Sequence, residues 1–319
     1  MKTMNSLAIV VTIVALISCA PGNSPSAGEE KPKGLENGSF TAKLNGFTIH
    51  YEVHGQGPVL MTLPNSWGLS IAGLRGLYRP LEQKLTLVYF DPRGIGESSP
   101  IVEEADLGME AVRRDFQALR EHLGLESVNS IGWSNGAMNL MFLASEHPET
   151  IDSAIFLHGA AHFSEEDSAA YAERYPEVLE AWGTLLEEMK NPDLTDDQRT
   201  EEMKSMWLDT WFPITFADRS KATEVLDRTF GEAEFSWAHG SYSQRDQADF
   251  DARERLPRIT ARSLVVSGSH DAIPVSKGEE IAAGIPNAEF VLLEQSGHYA
   301  PIEEPDAFVD LVFSFLGVQ

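Results

Sequence analysis

Ser134 lies where a strand pattern changes into a helix pattern, in the pentapeptide Gly-Trp-Ser-Asn-Gly at 132–136. An apolar, β-branched run begins at Val128, and an alanine- and leucine-rich run follows the turn. The two glycines lack a Cβ, so strand and helix can approach closely. A serine at such an apex has strained backbone and an exposed Oγ, which suits a nucleophile. The N–H of Asn135 begins the helix and points to where an oxyanion would form. The alternative is an ordinary glycine-containing turn.

Two further residues could complete a proton-transfer chain with this serine. Asp271 follows the strand-like run 261–267, and His298 follows the strand-like run 290–293. A serine hydroxyl is a weak nucleophile until a histidine takes its proton, and a carboxylate orients that histidine. Ser134, Asp271 and His298 each follow a strand-like run, so they are the candidates for a catalytic triad of serine, acid and histidine. The acid candidates ranked lower are Asp91, Glu303 and Glu304, and His270 beside Asp271 is interpreted as structural.

The elements that must position these residues alternate between strand and helix patterns. Other predicted strands are Phe40–Leu44, Phe47–Val53, Val59–Leu63, Leu85–Phe90 and Ile151–Leu157. Asn45-Gly46 between the first two indicates a hairpin. Apolar spacing predicts helices at 109–123 and 137–146. Strands that alternate with helices indicate an α/β fold with a doubly wound, mostly parallel sheet, in which chemistry collects at the carboxyl ends of the strands.

These motifs resemble the α/β-hydrolase family. The Gly-x-Ser-x-Gly turn is similar to the family's nucleophile elbow, and the order Ser134, Asp271, His298 is similar to the chain order of its catalytic triad. Residues 91–98 (Asp-Pro-Arg-Gly-Ile-Gly-Glu-Ser) resemble its D-x-R-G-x-G-x-S loop. Asp91 and Arg93 are expected to pair with each other and support that loop. The resemblance implies that a second backbone N–H stabilises the oxyanion, and by position this is the N–H of Ser66. The chain departs from the family at 64–68, where Pro-Asn-Ser-Trp-Gly replaces the usual His-Gly-x-x-Gly.

An insertion interrupts the alternation between the core segments 39–161 and 257–319. Residues 162–256 carry acidic helical stretches, predicted at Tyr171–Met189 and Asp196–Trp211, together with many aromatic residues. The resemblance implies a helical cap here that excludes water and supplies substrate walls. The alternative is that the aromatic residues form only the core of the insertion itself. The tryptophans expected to contact substrate are Trp67, Trp133, Trp207 and Trp211.

The first residues indicate export. Residues 1–18 contain a positive charge and the apolar run 7–17, which is shorter than the roughly 20 residues that span a bilayer. The stretch Leu16–Ala20 resembles the bacterial lipobox, in which cleavage precedes a cysteine that carries lipid. Cys19 is the only cysteine in 319 residues. We therefore predict lipidation of Cys19, a flexible tether at 19–38, and anchorage to a bacterial membrane, the outer one facing the periplasm or surface. The alternative is a plain secretory signal.

Composition limits the partners. The formal net charge is −25, with 49 acidic against 24 basic residues, which argues against nucleic acid or an anionic lipid surface as partner. The sequence has no cluster with metal-ligand spacing and no glycine-rich nucleotide motif, so we predict no metal and no cofactor. The expected partner is a small-molecule substrate.

The predicted activity is that of a serine hydrolase acting on an ester or lactone bond of a small, partly apolar substrate through an acyl-enzyme. The first alternative is a proline iminopeptidase-like aminopeptidase, because 76–81 leading to 91–94 is similar to the arrangement in those enzymes. Against it, their oxyanion loop reads His-Gly-Gly-Pro-Gly, and their tryptophan follows the serine, whereas Trp133 precedes Ser134. The second alternative is a surface lipoprotein that binds without catalysis.

Overall fold

Eight strands form one sheet in the computed structural model, which describes residues 35–319. The strands are β1 Gly38–Leu44, β2 Phe47–Gly55, β3 Val59–Leu63, β4 Thr86–Phe90, β5 Val128–Trp133, β6 Ile151–Leu157, β7 Arg262–Gly268 and β8 Ala288–Leu293. Their order is β1-β2-β4-β3-β5-β6-β7-β8; β2 is antiparallel to β1 and β4, and all other pairs are parallel. The predicted mostly parallel sheet is confirmed. The predicted signal peptide and Cys19 lie outside the described residues.

The central strands are apolar on both faces because helices cover both sides of the sheet. In β4, Leu87 and Tyr89 pack into one hydrophobic cluster, and Val88 and Phe90 pack into the cluster on the opposite face. All four side chains are fully buried. This double burial makes the sheet a rigid support for the loops at the carboxyl ends of its strands.

Twelve α-helices are present within residues 35–319. The helices before β6 are α1 Ile71–Tyr78, α2 Gly108–His122 and α3 Asn135–Glu146. Between β6 and β7 lie α4 Glu165–Arg174, α5 Pro176–Glu188, α6 Asp196–Met206, α7 Phe212–Ile214, α8 Ala222–Phe230 and α9 Trp237–Asp246. The last helices are α10 Val275–Gly284, α11 Ala300–Glu303 and α12 Pro305–Leu316. None of the helices in this described part is long and apolar enough to cross a membrane.

The helical insertion, α4 to α9, differs in detail from the prediction. The helical stretch predicted over 171–189 contains a break at Tyr175, with φ −133° and ψ 58°, and the next helix begins at Pro176. Proline has no N–H to donate and disfavours helical backbone in the residue before it. In the stretch predicted over 196–211, α6 ends at Met206 and a π-helical turn follows over Trp207–Trp211.

The expected pairing of Asp91 with Arg93 was wrong. The Asp91 carboxylate binds His50 Nδ1 at 2.7 Å and accepts the N–H of Ile71 at 2.7 Å. The Arg93 guanidinium instead donates two hydrogen bonds to Asp115, of 2.7 and 2.8 Å. Asp91 therefore attaches this loop to β2 and α1, whereas Arg93 attaches it to α2.

Candidate active site

Ser134 occupies a crowded turn between β5 and α3. Its backbone has φ 55° and ψ −120°, a conformation that L residues rarely adopt. A Cβ on Gly132 would lie 2.4 Å from the carbonyl oxygen of Gly136, and a Cβ on Gly136 would lie 2.5 Å from that of Leu63. Both positions therefore require glycine. The turn leaves the serine partly exposed at the carboxyl end of β5, as expected of a nucleophile elbow.

Asp271 and His298 form a buried hydrogen-bonded pair. The His298 Nδ1 atom lies 3.0 Å from Asp271 Oδ1 and 2.9 Å from Oδ2. The N–H of Ile273 donates to Oδ1 at 3.0 Å. Burial opposes ionisation of Asp271, but the attraction of His298 and hydrogen bonds from His298 and His158 outweigh it and hold the pKa of Asp271 well below its usual value. The carboxylate is thus charged when it orients the imidazole.

A cavity of about 470 Å³ is lined by all three predicted triad residues. Ser134, Asp271 and His298 line it together with residues of the helical insertion. No hydrogen bond joins Ser134 Oγ to His298 within residues 35–319. Such catalytic contacts are often long in unliganded enzymes and shorten when substrate binds. The predicted weaker acid Asp91 contacts His50 instead, on another part of the sheet.

The two predicted oxyanion donors differ in whether their backbone N–H groups already have an acceptor. Asn135 is the first residue of α3, so its backbone N–H has no acceptor within the helix. The N–H of Ser66 donates to Asn135 Oδ1 at 2.7 Å, and the Ser66 hydroxyl donates to the same oxygen at 3.0 Å. Ser66 is fully buried, whereas Asn135 lines the cavity. The oxyanion role of Ser66 stays a prediction that requires the Asn135 side chain to release this N–H.

The tryptophans predicted to contact substrate all line the cavity; they are Trp67, Trp133, Trp207 and Trp211. Trp67 packs edge-on against Trp207, with ring centroids 5.0 Å apart, and against Trp133 at 6.3 Å. The Trp133 indole N–H also donates to the carbonyl of His298 at 2.8 Å. Trp133 therefore supports the backbone of the base in addition to forming the wall. Contact with substrate stays a prediction.

Three residues that the sequence did not single out for these roles hold the histidine loop. His158, directly after β6, places Nδ1 2.9 Å from Asp271 Oδ2. The Thr215 carbonyl in the insertion accepts the N–H of His298 at 2.8 Å. Glu303, considered above only as a catalytic acid, accepts the N–H groups of Gly297 and Tyr299 at 2.9 and 3.1 Å. The position of His158 at a strand end was a usable signal; the contact of Thr215 has none in the sequence.

His158, Asp271 and His298 also offer three potential metal ligands within 4.8 Å of one another. Both imidazoles direct Nδ1 at the carboxylate, so those nitrogens serve as hydrogen-bond partners of Asp271 in this arrangement. The geometry is that of an acid between two histidines, one of which lines the cavity beside a strained serine. Such a set can move a proton between a hydroxyl and an imidazole.

Comparison with known proteins agrees with this architecture. The human serine hydrolase BPHL is 23% identical over 309 residues, which cover 94% of both chains. The 3-oxoadipate enol-lactonase 2 of Acinetobacter baylyi is 25% identical over 264 residues, 82% of this chain and 90% of the relative. The solved proline iminopeptidase of Mycobacterium smegmatis superposes with a TM-score of 0.65 at 17% identity, covering 88% of this chain and 98% of its own. The family model described as alpha/beta hydrolase fold matches residues 60–305, and the chain therefore belongs to the alpha/beta hydrolase fold family.

Proposed function

We propose that this chain is a serine hydrolase that cleaves an ester or lactone bond of a small, partly apolar substrate. The observation that carries the proposal is that the strained Ser134 lines the same cavity as the hydrogen-bonded pair of Asp271 and His298. A nucleophile, a base and an orienting acid are the minimum set for acyl transfer through a serine.

The chemistry proceeds in two halves. Ser134 Oγ attacks the substrate carbonyl carbon while His298 Nε2 takes its proton, and the C–O bond to the alcohol then breaks as His298 returns that proton to the leaving oxygen. Water, losing a proton to His298, attacks the acyl-enzyme, and the serine is released with the proton restored to Oγ. The N–H of Asn135 stabilises the oxyanion in both halves, joined by that of Ser66 once the Asn135 side chain has moved.

The cavity wall favours an ester or lactone over a peptide with a free α-amine. Such an amine needs an available carboxylate. Among residues 35–319, the carboxylates on the wall are Asp167 and Asp271. Asp167 binds Lys277 Nζ at 2.5 Å, and although desolvation opposes ionisation, hydrogen bonds from Lys277 and Ser164 lower the pKa of Asp167 to about 2. Asp271 serves His298. The rest of the wall is mostly aromatic, which suits apolar acyl or alcohol groups, and one relative acts on an enol-lactone by name.

Parallel assays test the proposal. We expect turnover of p-nitrophenyl esters or simple lactones, little or no turnover of proline p-nitroanilide, and covalent labelling by a fluorophosphonate probe. The variant S134A should lose labelling and at least about 10³-fold in kcat. The variant S220A changes an exposed serine and should keep both the labelling and the kcat of the wild type. It is the control for loss of a serine hydroxyl away from the cavity. Turnover of the anilide alone would favour the aminopeptidase, and a folded wild-type protein that is not labelled would favour a binding protein.

We further propose that the protein is exported and held at a bacterial membrane by lipid on Cys19. The apolar run 7–17, the lipobox-like Leu16–Ala20 and the single cysteine support this. These residues lie outside the part of the chain that the structure describes.

A further inference from the structure

We propose that His158 is a positioning residue of the catalytic site, which fixes the Asp271 carboxylate for His298 through the hydrogen bond from its Nδ1–H. The inference rests on the proposed serine hydrolase function. The two side chains are 2.9 Å apart, and both are shielded from solvent, with 0% and 2% of their side-chain surface exposed. A buried hydrogen bond to a charged group is among the stronger single contacts in a protein.

The surroundings of His158 fix its tautomer. The N–H of Ala300 donates to His158 Nε2 at 3.4 Å, so this nitrogen carries a lone pair. In a neutral imidazole the proton then resides on Nδ1, the atom that contacts Asp271. Burial lowers the pKa of His158, although hydrogen bonding to Asp271 opposes this, and the imidazole stays neutral. His158 thus donates to the acid without neutralising its charge.

The backbone of His158 adopts a conformation that is unfavourable for histidine. Its φ is +52°, in the left-handed region, and its N–H donates to the carbonyl of Val266 at 2.9 Å. Glycine or asparagine would adopt this conformation more easily. A strained residue persists when the surrounding structure imposes it, and such residues concentrate at functional sites. Here the strain places an imidazole beside the carboxylate.

The carboxylate of Asp271 is fixed from both ends. The N–H of Ile273 holds Oδ1 at 3.0 Å, and His158 holds Oδ2, which leaves His298 Nδ1 nearly equidistant from the two oxygens. Loss of the His158 donor would free the carboxylate to rotate and leave more negative charge facing His298. The catalytic imidazolium would be held more tightly, so the site would need a higher pH to regain the free base. The other ionisable groups that interact with Asp271 are Tyr175, Tyr299 and Glu303.

The test compares H158F, which keeps ring volume without a donor, with H158N, whose side-chain amide can donate from near the Nδ1 position. For H158F we expect kcat to fall about tenfold, with KM within about twofold of wild type. The acid limb of its kcat/KM profile should move to higher pH by about half a unit. H158N should recover most of kcat and return the limb to its wild-type position. The measurements use a p-nitrophenyl ester and the full chain.

Controls separate this inference from the proposed function. H270N changes an exposed histidine on the Asp271 loop and should match wild type. If H158F does not fold, H158Q replaces it, because its longer amide reaches toward Ala300 and leaves Asp271 without the donor. A wild-type protein that no fluorophosphonate labels would contradict the proposed function itself. A labelled wild type with equal kcat and pH profile in H158F, or equal losses in H158F and H158N, would overturn the positioning role of His158 alone.

Discussion

At the scale of single residues, the oxyanion site presents a competition. In the proposed mechanism the N–H of Ser66 binds the oxyanion, whereas in the structure Asn135 Oδ1 accepts this N–H at 2.7 Å. The same Asn135 has a buried Nδ2 without a partner among residues 35–319. The side-chain amide of Asn135 can therefore rotate at modest cost, because only Oδ1 loses hydrogen bonds and Nδ2 has none to lose. The Asn135 side chain therefore sets how readily the second donor becomes available.

Substitutions at Asn135 test this competition. We expect N135D to lower kcat on a neutral p-nitrophenyl ester on the order of tenfold, because a carboxylate would bind the Ser66 N–H more strongly and repel the oxyanion. N135A removes the competing acceptor and keeps the backbone N–H of residue 135, so its kcat should stay within about twofold of wild type or rise. Steady-state kinetics with both variants would decide; a loss in N135A as large as in N135D would contradict the competition.

At the scale of elements, one buried histidine joins the helical insertion to the loops of the core. His239 of α9 packs so closely on the oxyanion loop that a Cβ on Gly68 would lie 2.6 Å from its own Cβ. The same ring lies against Gly94, and its Nδ1 is 2.9 Å from the Ser236 hydroxyl. Burial lowers the pKa of His239 to about 4, although a hydrogen bond with the Arg93 backbone opposes this. Protonation of His239 is therefore coupled to loss of the packing between α9 and these loops.

Acid should weaken the fold through this residue. The folded-state pKa of about 4 lies below the ordinary value of 6.5, so the unfolded chain binds the proton first, and stability falls as pH drops from 6.5 toward 4. His239 alone should cost about 2 kcal/mol in the free energy of unfolding between about pH 7.5 and about pH 5. Urea unfolding at both values measures this. H239Q should reduce the difference, while H147Q, on an exposed histidine, should leave it unchanged; equal pH dependence in H239Q and wild type would refute the coupling.

The same scale shows what the sequence could and could not predict. The strands and the loops that carry Ser134, Asp271 and His298 were predictable, because each of these residues follows an apolar run in the sequence. The break before Pro176 was predictable in principle, since proline itself is the signal. The π-helical turn over Trp207–Trp211 was not, because no local sequence signal marks it; its Trp207 packs against Trp67, which is distant in sequence.

Contacts between residues that are distant in sequence could not be predicted from the sequence either. Thr215 uses only a backbone carbonyl to hold His298, a role that any residue type can fill. Glu303 attracts attention as an acid, but its function here depends on the backbone N–H groups that the histidine loop directs toward it. His158 follows a predicted strand, yet its contact with Asp271 requires β6 and β7 to be neighbours, which only the sheet order establishes.

At the scale of the whole molecule, the net charge limits how the protein could be held at a membrane, as proposed above. A formal charge of −25 repels anionic lipid headgroups, and no helix within residues 35–319 is suited to span a bilayer. Attachment through surface electrostatics is thus unfavourable. A covalent lipid does not depend on the sign of the protein charge, because its affinity comes from buried methylene groups. The acidic domain and the proposed lipid on Cys19 are therefore compatible.

The variant C19A tests this form of attachment. Expressed with its own leader in a diderm bacterium, the wild-type protein should sediment with membranes, resist extraction by high salt and enter the detergent phase on Triton X-114 partitioning. C19A should move to the aqueous phase, since the apolar acyl chains are the only anchor proposed. S24A, in the predicted tether, should behave as wild type, and the proposed esterase activity per molecule should be the same in all three proteins. Release of the wild type by salt would show that the association is electrostatic, and retention of C19A in the detergent phase would show that another segment holds the chain.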